Sequence, residues 1–166
     1  MTNKNEIVVS ALQYLLFKLK EQRGNKNIGR TLIQKLMFLL NRQEVVDLNY
    51  TLYHYGPFSN ELSAVLDETA ARGIINETWQ DGSGYDISLL GTYRSHPGIN
   101  KKCIEEVVKQ YGNYSAGDIS IIATALFLKD KYNVHNDELI ELVNKVKPNY
   151  SIADIKKIIK EAPGFN

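Results

Sequence analysis

Residues 28–75 do most to constrain what this chain folds into. They read IGRTLIQKLMFLL, then LYHYGPFSNEL, then LDETAARGII. In the first piece Leu32, Ile33, Leu36, Met37 and Leu40 recur at helical spacing, which predicts a helix over about 30–41. The aromatic, alternating run at 50–55 predicts a short strand, and Gly56-Pro57 predicts a turn after it. Ser59 is placed to cap a third helix by accepting hydrogen bonds from its orphan amides, and Glu61 suits that helix's positive end. Gly73 fits the left-handed position just past the helix, and Ile74-Ile75 opens a strand.

The flanking sequence extends this pattern. Ile7, Val8, Ala11, Leu12, Leu15 and Leu19 form the apolar stripe of a first helix over about 6–22. Strands at 74–79 and 85–90 flank Asp81-Gly82-Ser83-Gly84, which predicts a hairpin. Helix, turn, helix, hairpin is the order of a winged helix-turn-helix, a module that binds DNA or protein. Beyond the break at His96-Pro97-Gly98, helix four is expected over about 101–111. Ser115 and Asp118 have the spacing of a capping box at the start of helix five. Ile119, Ile121, Ile122, Ala125, Leu126, Phe127 and Leu128 surround that helix on nearly every side, marking it as central and buried. Asn136 is read as the cap of helix six. Ser151 and Asp154 open helix seven, which stops before Pro163-Gly164. The expected fold class is mainly α with a small β-hairpin. One domain spans 1–166, with a winged helix-turn-helix-like core at 6–91 and a packed C-terminal helical extension at 99–163.

Composition narrows the class without naming a partner. With 43% hydrophobic and 23% charged residues, the 166-residue chain has ordinary globular composition. A net charge of +1 gives no global pull toward nucleic acid or membrane. Cys103 is the only cysteine, so no intrachain disulfide forms. The first six residues lack the apolar core of a signal peptide, and the longest apolar run, Leu36 to Leu40, is far too short for a membrane span. The default expectation is a cytoplasmic protein without a membrane association.

On these residues the chain resembles a known family. Arg30 through Leu40 looks like the LQKLLYLL helix of the Panacea domain family. Tyr55-Gly56-Pro57-Phe58-Ser59, followed by Leu62, Leu66 and Gly73-Ile74-Ile75, is similar to that family's Tyr-Gly-Pro segment and the helix after it. Phe58 and Tyr53 stand where family antitoxins often carry Val and Trp. The resemblance covers roughly residues 7–90. The family includes SocA-like antitoxins, which neutralise varied toxins, and uncharacterised phage, bacterial and archaeal relatives. The resemblance implies a non-enzymatic role in binding a protein partner, a toxin among them.

Charge along the chain points the same way. Residues 1–58 carry a net +4, residues 59–91 a net −5, and the remainder +2. DNA binding draws much of its affinity from Lys and Arg neutralising phosphates. A recognition helix carrying Glu61, Asp67 and Glu68, beside a hairpin tipped with Asp81, would be repelled. These four acids are therefore the candidate protein-docking residues, against the plainer reading of a solvated face. Phe17 and Phe38 lie off the apolar stripes of their helices. Cover by the C-terminal helices is the ordinary reading for both, and contact with a partner is the alternative. The DNA-binding alternative would use Arg30 and Lys35 of the basic first half, or Lys156, Lys157 and Lys160 of helix seven, although that helix has no Arg, Asn or Gln to read bases. Gly56 and Pro57 are expected to be a structural turn. A homodimer is a further partner class the sequence leaves open.

Catalytic and cofactor signals are weak. His54, His96 and His135 lie about forty residues apart with no paired ligand spacing. Lys101 and Lys102 beside Cys103 would lower a thiol pKa, but no histidine accompanies them. Gly82-Ser83-Gly84 sits between strands rather than before a helix, so it is no phosphate loop. The expected function is thus a non-enzymatic, antitoxin-like interaction module without cofactor, acting through residues 59–72 and 74–90.

Overall fold

The computed structural model describes residues 3–94 and 96–165. Met1 and Thr2, part of the reading of the N-terminal segment, lie outside the described residues. Seven helices and two antiparallel two-stranded hairpins are described: α1 (Asn3–Arg23), α2 (Arg30–Arg42), β1 (Thr51–Tyr53), β2 (Gly56–Phe58), α3 (Asn60–Ala71), β3 (Ile75–Gln80), β4 (Gly84–Leu89), α4 (Lys101–Tyr111), α5 (Ala116–Tyr132), α6 (Asn136–Val146) and α7 (Ile152–Glu161). The fold is mainly α, as the periodicity predicts, with a second small hairpin in addition to the expected one. No described helix is long and apolar enough to cross a membrane.

Local chemistry sets most boundaries. The side chains of Ser59, Ser115 and Ser151 accept hydrogen bonds from the amides of Leu62, Asp118 and Asp154, closing the first turns of α3, α5 and α7. Gly73, with φ +71°, lets the chain leave α3 and turn into β3. Helix α6 differs from expectation. His135 occupies the cap position without a capping hydrogen bond, and Asn136 is the first helical residue, with φ +52°.

Two apolar clusters share α5. The first joins α1, α2, α3, the base of the β3–β4 hairpin, α4 and one side of α5. The second joins the opposite side of α5, through Ile121, Ala125 and Leu128, to α6 and α7. Leu12, Leu15 and Leu19 of α1 and Ile104 and Val108 of α4 belong to the same first cluster. Helix α4 thus packs into the main core beside α1.

Helix α2 is buried continuously from Leu32 to Leu40, including the polar Gln34 and Lys35 that amphipathicity assigned to solvent. The β1–β2 hairpin covers that side. Gln34 accepts from the Ser59 amide and donates to the Ser59 carbonyl, both at 3.0 Å. Lys35 Nζ donates to the Pro57 carbonyl at 3.0 Å. The Gln-Lys pair of α2 thus holds the Gly-Pro segment directly.

The Gly-Pro segment is not the turn. Residues His54 and Tyr55 make the reversal, and Gly56 and Pro57 begin β2, with Tyr53 opposite Gly56 and Leu52 opposite Pro57. Proline is tolerated because each strand of a two-stranded sheet is an edge, with one side free of ladder bonds. Gly56 is needed on two counts. Its φ is +98°, and a Cβ there would lie 2.8 Å from Thr124 Oγ1 and 3.2 Å from the Ser120 carbonyl.

Candidate functional site

The surface nominated by the sequence is built by α3 and the β3–β4 hairpin. One residue outside both, Arg30 at the start of α2, organises its charges. The Arg30 guanidinium donates to Glu77 on β3 at 2.8 and 3.1 Å and to Asp67 on α3 at 2.7 Å. Glu77, and after it Asp67, raise the guanidinium pKa above its already high value. Glu61 accepts from the Asn49 amide at 2.9 Å and pairs with Lys4 of α1 at 3.2 Å. That amide first, and then Lys4, hold the Glu61 carboxyl below the usual carboxylate range. Glu68 pairs with Arg72 one turn along α3 at 3.3 Å. Asp86 accepts from the Ile28 amide at 2.8 Å, tying the hairpin to the start of α2.

This corrects the picture of a free acidic face. Lys4 and Arg30, from outside residues 59–91, bring two positive charges to it and leave −3. Glu61, Asp67 and Glu68 are each engaged within the fold. Of the four nominated acids, Asp81 alone has no cationic partner among the described residues; it accepts from the Trp79 indole at 3.2 Å.

What stands out from this surface is aromatic. Trp79 and Tyr85 are opposite one another in the β3–β4 register. Their rings meet edge to face with centroids 5.2 Å apart, and they are 64% and 52% exposed. Strand alternation places Trp79 on the same side as Ile75, and Tyr85 on the same side as Ile87. Ile75 and Ile87 are buried, so this side of the hairpin begins in the core and, past the Arg30-paired Glu77, ends in the exposed Trp79–Tyr85 pair. Sequence reasoning treated Trp79 and Tyr85 as ordinary strand residues. The available signal was the apolar alternation of Tyr85, Ile87 and Leu89 along β4, which runs on to the hairpin tip; β3 carries Glu77 at the matching position.

The remaining nominated residues separate clearly. Phe38 is no partner residue: it is buried between Tyr50 and Phe127 of α5, at 5.3 and 6.2 Å between ring centroids. Phe17 is 41% exposed beside Tyr14 and Tyr93. Lys35 is 1% exposed and cannot meet a phosphate on a nucleic-acid surface, which removes it from the DNA-binding alternative. Arg30 is likewise committed to two carboxylates. Lys156, Lys157 and Lys160 are exposed on α7. Lys156 and Lys160 join Lys129 of α5 around a shallow recess of about 280 Å³, which Lys157 does not line.

Cys103 is not activated. Its thiol donates to Gln43 Oε1, and burial pushes its pKa up. Lys101, expected to act on it, lies over the rings of Tyr14 and Tyr93 instead. Among the described residues no group of three or more His, Cys, Asp or Glu side chains gathers to hold a metal.

No family model matches this chain, and no curated protein matches it.

Proposed function

We propose that this protein is a non-enzymatic regulatory module, antitoxin-like in that binding is its activity, and that it engages a protein partner through the tip of the β3–β4 hairpin. The observation that carries this reading is the exposed Trp79–Tyr85 pair, held in register on a hairpin whose base is anchored in the core. Tryptophan and tyrosine are enriched among residues that dominate binding energy, because they bury a large rigid area with few torsions to freeze. Asp81 beside them, and the residual negative charge of the surrounding surface, favour a partner with a basic rim. The winged helix-turn-helix arrangement expected from the sequence would place this hairpin as the wing. The DNA-binding alternative is less supported, because Arg30 and Lys35 are committed inside the fold.

The test uses the protein's own chromophore. Trp79 is the only tryptophan, so its emission reports on the hairpin tip alone. A partner captured from the source cells, or encoded beside this gene, is purified and titrated into the protein. The expected result is a blue shift of the emission and loss of binding in the Trp79→Ala/Tyr85→Ala variant at unchanged melting temperature. Unshifted emission together with equal binding by that variant would rule the hairpin out.

A further inference from the structure

A second feature of the molecule is unrelated to the hairpin. A cleft of about 710 Å³ opens between the His54-Tyr55 turn, the first turn of α5 and the α6–α7 loop. Its walls include His54, Tyr55, Gly117, Ser120, Lys147 and Tyr150, and its lining contains no carboxylate.

Lys147 is the unusual residue. The residue is only 7% exposed, its Nζ makes no hydrogen bond or ion pair among the described residues, and the surface it keeps includes Nζ, which opens onto the cleft. The Tyr55 ring lies beside it, 5.9 Å from Nζ to the centroid. A buried ammonium is normally paired, because burial without a counter-charge disfavours the charged form. Here burial lowers the Lys147 pKa. The other cation in the neighbourhood makes the imbalance worse. Lys35, behind Gly56, is close enough to Lys147 to be perturbed by it, and its one acceptor is a neutral carbonyl.

The start of α5 adds a third source of positive potential. Ser115 caps the Asp118 amide, while Ala116 and Gly117 carry the first orphan amides of a 17-residue helix and line the cleft. A Cβ on Gly117 would lie 2.6 Å from the Tyr150 hydroxyl, so glycine lets that hydroxyl stand over the helix start. One ammonium, Lys147, a helix N-terminus and a phenol line the cleft with Lys35 behind it; no carboxylate lines it, and Asp118 in the first turn of α5 lies outside the lining.

We propose that the cleft binds a small phosphomonoester, its phosphate seated between Lys147 Nζ and the first amides of α5. Phosphate is favoured because it presents several acceptor oxygens to donors arriving from different directions. The volume falls within the roughly 300–1,000 Å³ of small-molecule sites and exceeds the need of a bare oxyanion. Tyr55 and Tyr150 supply aromatic walls, so the body of the ligand is planar. A nucleoside monophosphate is the simplest compound of that class.

The experiment is calorimetric titration of the full chain with adenosine monophosphate, inorganic phosphate and adenosine. Adenosine monophosphate is expected to bind with Kd below ~1 mM, inorganic phosphate about tenfold or more weaker, and adenosine not measurably. Lys147→Met, which keeps the alkyl stem, is expected to weaken adenosine monophosphate at least about tenfold, the usual effect of losing one charge-assisted hydrogen bond. Because a variant can fail to fold, the wild-type protein is also followed by amide NMR during the titration. Shifts centred on Ala116, Gly117 and Lys147 are expected, and shifts centred elsewhere overturn the site. Absence of binding by adenosine monophosphate overturns the proposal, as does undiminished binding by a folded Lys147→Met. Equal affinity for inorganic phosphate overturns the planar body. Tighter binding of a short single-stranded oligonucleotide overturns the small-molecule assignment.

Discussion

Replacing Lys35 by methionine removes a buried charge while keeping a side chain of similar length. Lys35 is 1% exposed, its only acceptor is the Pro57 carbonyl, and no carboxylate pairs with it among the described residues. Burial first, and the Lys147 ammonium second, push its pKa down from 10.5 to about 8. The unfolded chain therefore binds the proton more tightly than the folded one, and wild-type stability rises with pH between about 8 and 10.5. At pH 7 the charge costs roughly 3 kcal/mol relative to an unperturbed lysine, and at pH 9.5 roughly 1 kcal/mol. The wild type should thus gain about 2 kcal/mol on Lys35→Met across that interval. At pH 7 the variant leaves the Pro57 carbonyl unpaired, a loss of about 1–3 kcal/mol, so it should equal the wild type or exceed it by up to about 2 kcal/mol. Tyr14, raised to about 12 by its hydrogen bond to Glu105, and Tyr50, raised by burial, lower stability only at higher pH and cancel between the two proteins. Urea denaturation of both proteins at several pH values from 7 to 9.5 measures the difference. A gap between them that stays constant to within about 0.5 kcal/mol would refute the reasoning, because it would mean Lys35 titrates alike folded and unfolded.

Three other outcomes follow from the same geometry. Gly56→Ala should lower the urea midpoint by more than the equivalent of about 1 kcal/mol, since alanine must adopt φ +98° and press on Thr124; an unchanged midpoint would argue against both constraints. Reversing Glu61, Asp67 and Glu68 to lysine should cost about 1–2 kcal/mol rather than nothing, because Asn49 loses its acceptor and Lys4 and Arg30 meet like charges; an unaltered thermal melt would return these acids to the status of free surface. Random duplex DNA should bind no better than in the micromolar range near physiological salt, and a sub-micromolar Kd with a steep salt slope would revive the nucleic-acid reading.

The outcome of sequence reasoning divides along the distance over which each signal acts. The serine caps span three residues, so Ser59, Ser115 and Ser151 could be read with no knowledge of the fold. The wrapped apolar surface of α5 likewise showed in its own composition. The joint between Gln34-Lys35 and the Gly-Pro strand did not, because its bonds connect residues 22 to 25 apart and an amphipathic pattern assigns polar side chains to water. A strand of three residues has too few alternations to distinguish β2 from the turn that Gly56-Pro57 suggested. The charge argument failed in the same way. Arg30 reaches Glu77 across 47 residues, and Lys4 comes to Glu61 from the far end of α1, so a sum over 59–91 counted acids whose partners lay elsewhere. The cleft holding Lys147 is the extreme case. Its components come from the β1–β2 turn, the start of α5 and the α6–α7 loop, and each is unremarkable alone: an exposed-looking lysine, a capped helix, a tyrosine after a proline. Only burial distinguishes Lys147 from the solvated lysines of α7 that the sequence nominated instead. A lysine in a linear sequence is read as surface by default. The two lysines most worth testing here are Lys35, which the fold removes from water, and Lys147, which it leaves only a cleft-facing remnant of surface, neither with a carboxylate supplied.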